Sequence, residues 1–211
     1  MIKKLLLGVA AAAVMGSSSL FFLSNQNAAY AGGISQSYPS YSAYKGLENN
    51  NSILGHAVAT EQQMLAFARS INPKFLADLP KLYLETGNRY GIKGDIAFCQ
   101  MIKETGYQRY GGIVQSNQFN FAGIGAVGNS KTNKGNSFQN MQQGVLAHIQ
   151  HLYAYASTHS LPASEKLVDP RFKYVTRGIA PNWKDLNGRW AVPGKGYGED
   201  ILRIYNQMLQ F

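Results

Sequence analysis

The sequence predicts a mainly α (α+β) domain, a helical body with one small irregular or β lobe, the two framing a cleft. Three observations carry this reading. Capped stretches with apolar residues at helical spacing recur from Thr60 to the end of the chain. Between Gly111 and Gln139 that spacing breaks into glycines and short apolar pieces. Cys99 is the only cysteine, so no internal disulfide forms and the core must hold the fold. The stretch from Ala57 to Phe211 is long enough for one domain with a core of its own.

Residues 1–31 read as a secretory signal peptide. Lys3 and Lys4 give a basic start, an apolar run begins at Leu5, and Ala29-Tyr30-Ala31 is a small-x-small cleavage site. Gly16 and Ser17–Ser19 interrupt the apolar run before it reaches the roughly 20 residues of a membrane span. The expectation is an exported protein, extracellular or at the cell wall, with no membrane anchor after signal cleavage. Residues 32–56 are poor in aliphatics and rich in Ser, Tyr, Asn and Gly, and read as a flexible leader or loosely docked arm. The domain proper is expected over 57–211.

Within it, Thr60 and Gln63 form a capping box for the first helix. Pro80 opens a second helix that stops at Gly91. Asp95 is placed to cap a third, running to Gly106. Asn140 with Gln143 starts a fourth, on which Val145, Ile149, Leu152 and Ala156 share a face. Ile201, Ile204, Tyr205 and Met208 form the stripe of a fifth.

The formal charge is +9, and losing Lys3 and Lys4 with the signal lowers it to +7. Such a charge on an exported chain favours an anionic partner. With no Lys/Arg run and no recognised nucleic-acid motif, nucleic acid is set aside and anionic wall polymers fit better.

Glu104 is where the chemistry concentrates. It sits at the expected C-terminal end of the third helix, and no other Asp or Glu follows until Glu165. The intervening residues are polar, aromatic and glycine-rich. A helix C-terminus disfavours an anion, and partial burial does the same, so both raise the carboxyl pKa. A carboxylic acid kept protonated near neutral pH is what protonation of a leaving oxygen requires. The bland rival is a surface glutamate paired with Lys103.

The segments "GDIAFCQMIKETGYQRYGG", "NQFNFAGIGA", "GVLAHIQHLYAYAS" and "DLNGRWAVPGKGYGEDILRIY" resemble the glucosaminidase domains of glycoside hydrolase family 73. The resemblance runs from about Ala57 to Phe211. It implies a lysozyme-like helical fold and a bacterial enzyme that cuts peptidoglycan glycan strands, with no cofactor and no metal. It places Glu104 as the general acid. Asn120, Phe121, Gly123 and Ile124 match the loop bordering the sugar site, and Tyr197 matches a late tyrosine at the cleft. Beside that, Phe121, Trp183, Trp190, Tyr107 and Tyr110 have faces able to stack on sugar rings, and Gln118 and Asn120 have amides able to bind hydroxyl or acetamido groups.

Glycosidases usually pair two carboxylates. The acid-free segment after Glu104 excludes a base in the irregular lobe, leaving Asp169, Asp185, Glu199, Asp200, Glu85 and Asp95. Asp95 is better explained as a cap, and Glu199 and Asp200 as first-turn helix acids. Alternatively the substrate's own 2-acetamido group is the nucleophile, with Tyr197 positioning it or a water. That option explains why one acid suffices. His148 and His151 have metal-compatible spacing but lack an evident third ligand, and Cys99 lies inside a helix rather than at a helix N-terminus where a thiolate is stabilised. The rival functions are a lytic transglycosylase and a non-catalytic glycan-binding wall protein on the same scaffold.

Overall fold

The computed structural model describes residues 50–126 and 134–211, all within one compact unit, Pro39–Phe211. The signal segment and residues 32–49 of the leader lie outside the described residues. The body is mainly helical, as expected.

Helix α1 (Glu61–Ile71) starts at the Thr60–Gln63 capping box, each side chain bonding the other's backbone, and buries Met64, Phe67 and Ala68. Helix α2 (Leu79–Tyr90) has Pro80 in its first turn, where a missing N–H is harmless, and ends at Gly91 in the left-handed region at φ 63°. Helix α3 (Gly94–Thr105) is buried along most of its length and ends at Gly106, φ 56°. Helix α4 (Met141–Ala156) is capped by the Asn140 side chain, which accepts from the Gln143 N–H at 2.9 Å. Helix α5 is Tyr197–Met208.

Helix α2 packs on both α3 and α4, and α3 also packs on α5, so α3 is central. A side chain at Gly94 would strike the Tyr83 carbonyl of α2, so that crossing requires glycine.

Two expectations change. Residues 50–56 are an integral edge of the domain, not a loose arm. Ile53 is fully buried; its N–H donates to the Pro181 carbonyl at 2.9 Å, and its carbonyl accepts from Lys93 at 3.0 Å. The segment is poor in aliphatics, but Ile53 is enough to dock it. Asp95, in turn, is not the cap of α3, which Lys93 precedes in that position. The Asp95 carboxylate is buried and accepts the N–H groups of Val58 (2.7 Å) and Ala59 (3.0 Å), tying the chain before α1 to the first turn of α3.

The lobe between α3 and α4 contains a 3-10 turn (Ser116–Gln118) and an isolated antiparallel bridge, Ala126 with Lys134. It rests on α4 at Gly144, where a Cβ would collide with the Phe119 carbonyl. Two further 3-10 turns, Phe172–Tyr174 and Trp183–Leu186, lie between α4 and α5. No helix of the described residues is long and apolar enough to cross a membrane.

Candidate active site

Glu104 occupies the last turn of α3, between Lys103 and the Thr105–Gly106 terminus. Its carboxyl opens into a cleft of about 380 Å³ whose wall includes Tyr110, Ile113, Val114, Asn120, Gly123 and Ala126. The helix end and the lobe thus frame one cavity. Burial pushes the Glu104 pKa above its usual value. Three opposing influences are smaller: a hydrogen bond from Tyr197, the charge of Lys103 and a hydrogen bond from the Trp190 indole. Lys103 does not pair with Glu104; its ammonium meets Asp200 at 2.8 Å. The bland rival therefore fails on geometry.

Tyr197, the first residue of α5, is buried and donates its hydroxyl hydrogen to Glu104 Oε1. Its oxygen accepts from Gln100 Nε2 at 2.8 Å. Gln100 is one turn before Glu104 on the same face of α3, and its Oε1 lies 3.0 Å from His148 Nε2 on α4. His148 Nδ1 in turn lies 2.8 Å from the Tyr83 hydroxyl on α2. Four helices therefore converge through one continuous hydrogen-bond chain ending at the carboxyl. Burial lowers the His148 pKa to about 3, so the imidazole is neutral.

The other predicted site residues divide clearly. Gly123 lines the cleft, and a Cβ there would lie 3.4 Å from Glu104 Oε2. Trp190 is half-buried beside His148, His151 and Tyr155, with its indole N–H on Glu104. Asn120 also lines the cleft, but its amide is committed to the loop: Nδ2 donates to the Ile124 and Asn136 carbonyls, each at 2.9 Å, and Oδ1 accepts from Ile124 at 2.9 Å. Gln118 is used in the same way, bonding Gln115, Lys134 and Asn136. Both amides build the lobe, and each spends its side-chain N–H groups on loop carbonyls. Phe121 and Ile124 are buried. Trp183 is fully buried in the core and presents no ring face to a glycan. Tyr110 lines the cleft, whereas Tyr107 packs on Phe67.

No second carboxyl lines the cleft among the described residues. Asp169 is buried on His151 at 2.7 Å. Asp185 bonds Asn182, Glu199 bonds Asn187, Asp200 bonds Lys103 and Arg203, and Glu85 faces Lys81. His148 and His151 serve separate partners rather than a shared centre. Cys99 is buried near Met208, and burial raises its pKa well above that of a free thiol. Gln100 and Tyr83 were not foreseen as parts of the site. The available signal was a buried-type helix carrying a glutamine one turn before its only late acid.

A carboxyl whose pKa burial raises, held at a helix end by a tyrosine and an indole beside a cleft, has the make-up of a glycoside hydrolase proton donor. The family model described as mannosyl-glycoprotein endo-β-N-acetylglucosaminidase matches residues 80–210, and the chain belongs to this glucosaminidase family. It is also 39% identical over 154 residues to an uncharacterized protein of Borreliella burgdorferi, covering 71% of this chain and 73% of that relative. No solved structure matches it.

Proposed function

We propose that the protein is a secreted peptidoglycan hydrolase cleaving the β-1,4 bond between N-acetylglucosamine and N-acetylmuramic acid, with Glu104 as general acid. The observation that carries this is the isolation of Glu104. It is the one carboxyl among the residues lining the cleft, and its burial favours the protonated form. With no second carboxylate lining the cleft among the described residues, the 2-acetamido oxygen of the substrate attacks C1 while the C1–O bond breaks. The Glu104 proton passes to the leaving oxygen, which becomes the free 4-hydroxyl of the muramyl residue. Water then attacks C1 of the oxazolinium intermediate and returns a proton to Glu104, giving net retention. Tyr197 orients the carboxyl throughout. The basic charge holds the protein to anionic wall polymers after export.

Digestion of purified peptidoglycan by wild type and Glu104→Gln, followed by borohydride reduction and mass spectrometry, tests this reading. Reduced N-acetylglucosamine ends that vanish in the variant support it. Anhydro-muramyl ends would make the protein a lytic transglycosylase. Wall binding with no new ends would make it a non-catalytic binder.

A further inference from the structure

The hydrogen-bond chain behind Glu104 has a direction. Two arrangements satisfy its inner links. In one, Tyr83 donates to His148 Nδ1, His148 Nε2–H to Gln100 Oε1, Gln100 Nε2–H to Tyr197, and Tyr197 to Glu104 Oε1. In the other the Gln100 amide is turned over and every hydrogen is reversed: Glu104 Oε1–H donates to Tyr197, Tyr197 to Gln100 Oε1, Gln100 Nε2–H to His148 Nε2, and His148 Nδ1–H to Tyr83. The two differ at the far terminus. Tyr83 is 0% exposed, and His148 Nδ1 is the acceptor its hydroxyl meets among the described residues. Reversal would strand that hydroxyl hydrogen in the core, which is unfavourable. Burial also keeps Tyr83 and Tyr197 protonated and His148 uncharged, so each link has a hydrogen to give.

We propose that Tyr83, His148 and Gln100 are positioning residues that polarise this chain toward Glu104, so that its acidic proton is carried on Oε2, the oxygen beside Gly123. As the oxygen that receives the Tyr197 hydrogen, Oε1 is the carbonyl-type acceptor of the protonated carboxyl, and the proton falls to Oε2, with the Trp190 indole as a second donor to the group. Oε2 is the oxygen a Cβ at Gly123 would touch, on the wall of the cleft. The reversed chain would turn the proton inward, away from any leaving group. The inference rests on the reading of Glu104 as general acid.

The charged and titratable groups facing this chain are few. Near Glu104 they are Lys103 of α3, paired with Asp200 of α5, and Tyr197. Near His148 they are Tyr83 of α2 and His151 of α4, itself paired with Asp169. Tyr110 lines the cleft and Tyr155 lies near Tyr197.

Tyr83→Phe keeps the ring packing and removes the terminal donor. Reversal then becomes available to protonated Glu104 but not to the carboxylate, which still requires the Tyr197 hydrogen. The low-pH plateau of kcat/KM on a soluble glycan fragment should fall about three- to ten-fold, the range of one neutral hydrogen bond. The alkaline limb should move up by the logarithm of the same factor, roughly half to one pH unit, so the two profiles converge at high pH. A merely structural defect would lower the whole curve by one factor, and that result would overturn the proposal. Imidazole ¹⁵N NMR of wild type provides a test that survives if the variant misfolds. The Nε2–H tautomer of His148 is expected, and the Nδ1–H tautomer would overturn the chain's direction. Glu104→Gln, assayed alongside, separates the two ideas: retained activity would remove the general-acid reading itself, whatever the tautomer of His148.

Discussion

At the scale of the residue, Glu104 combines a chemical and an energetic signature. Burial raises its folded pKa above the unfolded value, so the stability tied to its protonated form is fully present below about pH 4.5 and is lost as pH rises through the folded pKa. Glu104→Gln cannot ionise. We expect its melting temperature to exceed that of wild type at pH 8, the difference closing as pH falls, while activity drops about 10²- to 10⁴-fold as for loss of a general acid. Thermal scans at several pH values and the peptidoglycan digest check both halves. Asp95 has a structural part instead. Its buried carboxylate satisfies the Val58 and Ala59 amides, and Asp95→Ala leaves them without an acceptor. A loss of about 3 kcal/mol in denaturant unfolding is expected. The place of Glu104 on the cleft was legible in the sequence because the next sixty residues carry no acid, a pattern that survives without any knowledge of folding. The roles of Asn120, Gln118 and Trp183 were not. An amide in a glycine-rich loop can serve a ligand or its own backbone, and only the path of the loop decides.

At the scale of the element, the helices were legible where their ends are signalled locally. Thr60 with Gln63, Asn140 with Gln143, Gly91 and Gly106 all act within a few residues of themselves. The links that assemble the site are not local. Tyr197 to Glu104 spans 93 residues and Tyr83 to His148 spans 65, distances over which a single sequence carries no pairing signal. Gly144 of α4 gives an element-level test. Its absent side chain lets the Phe119 carbonyl sit against the helix, anchoring the lobe that forms one wall of the cleft. Gly144→Ala should destabilise by about 1–3 kcal/mol, as overpacking does, and should raise KM by displacing the lobe. Unchanged stability and KM would show that the lobe is anchored elsewhere.

At the scale of the whole molecule, two properties depend on how distant parts meet. His148 is neutral in the fold with a pKa of about 3, below the ordinary 6.5. Its contribution is present above pH 6.5 and is lost as pH falls toward 3, at up to about 1.4 kcal/mol per pH unit. Urea titrations of wild type should show this decline, and His148→Phe should flatten it. The boundary of the domain is the second property. A chain beginning at Ala57 lacks Ile53, whose burial alone contributes about 1.5–3 kcal/mol, together with the links to Pro181 and Lys93. It should unfold at lower denaturant than one beginning at Asn50.

The stitching of the lobe also has an engineering consequence. Gln118 holds the Lys134 carbonyl, Asn120 holds that of Asn136, and Ile124 accepts from Asn136 at 2.8 Å, so residues 118–126 and 134–136 clasp one another. Ala126, at one clamp, stands on the rim of the cleft. A wall laced together from within keeps its outline when a single side chain on it is exchanged. Substitutions at Ala126 therefore offer a way to retune which glycans the cleft admits while the loop beneath holds its course.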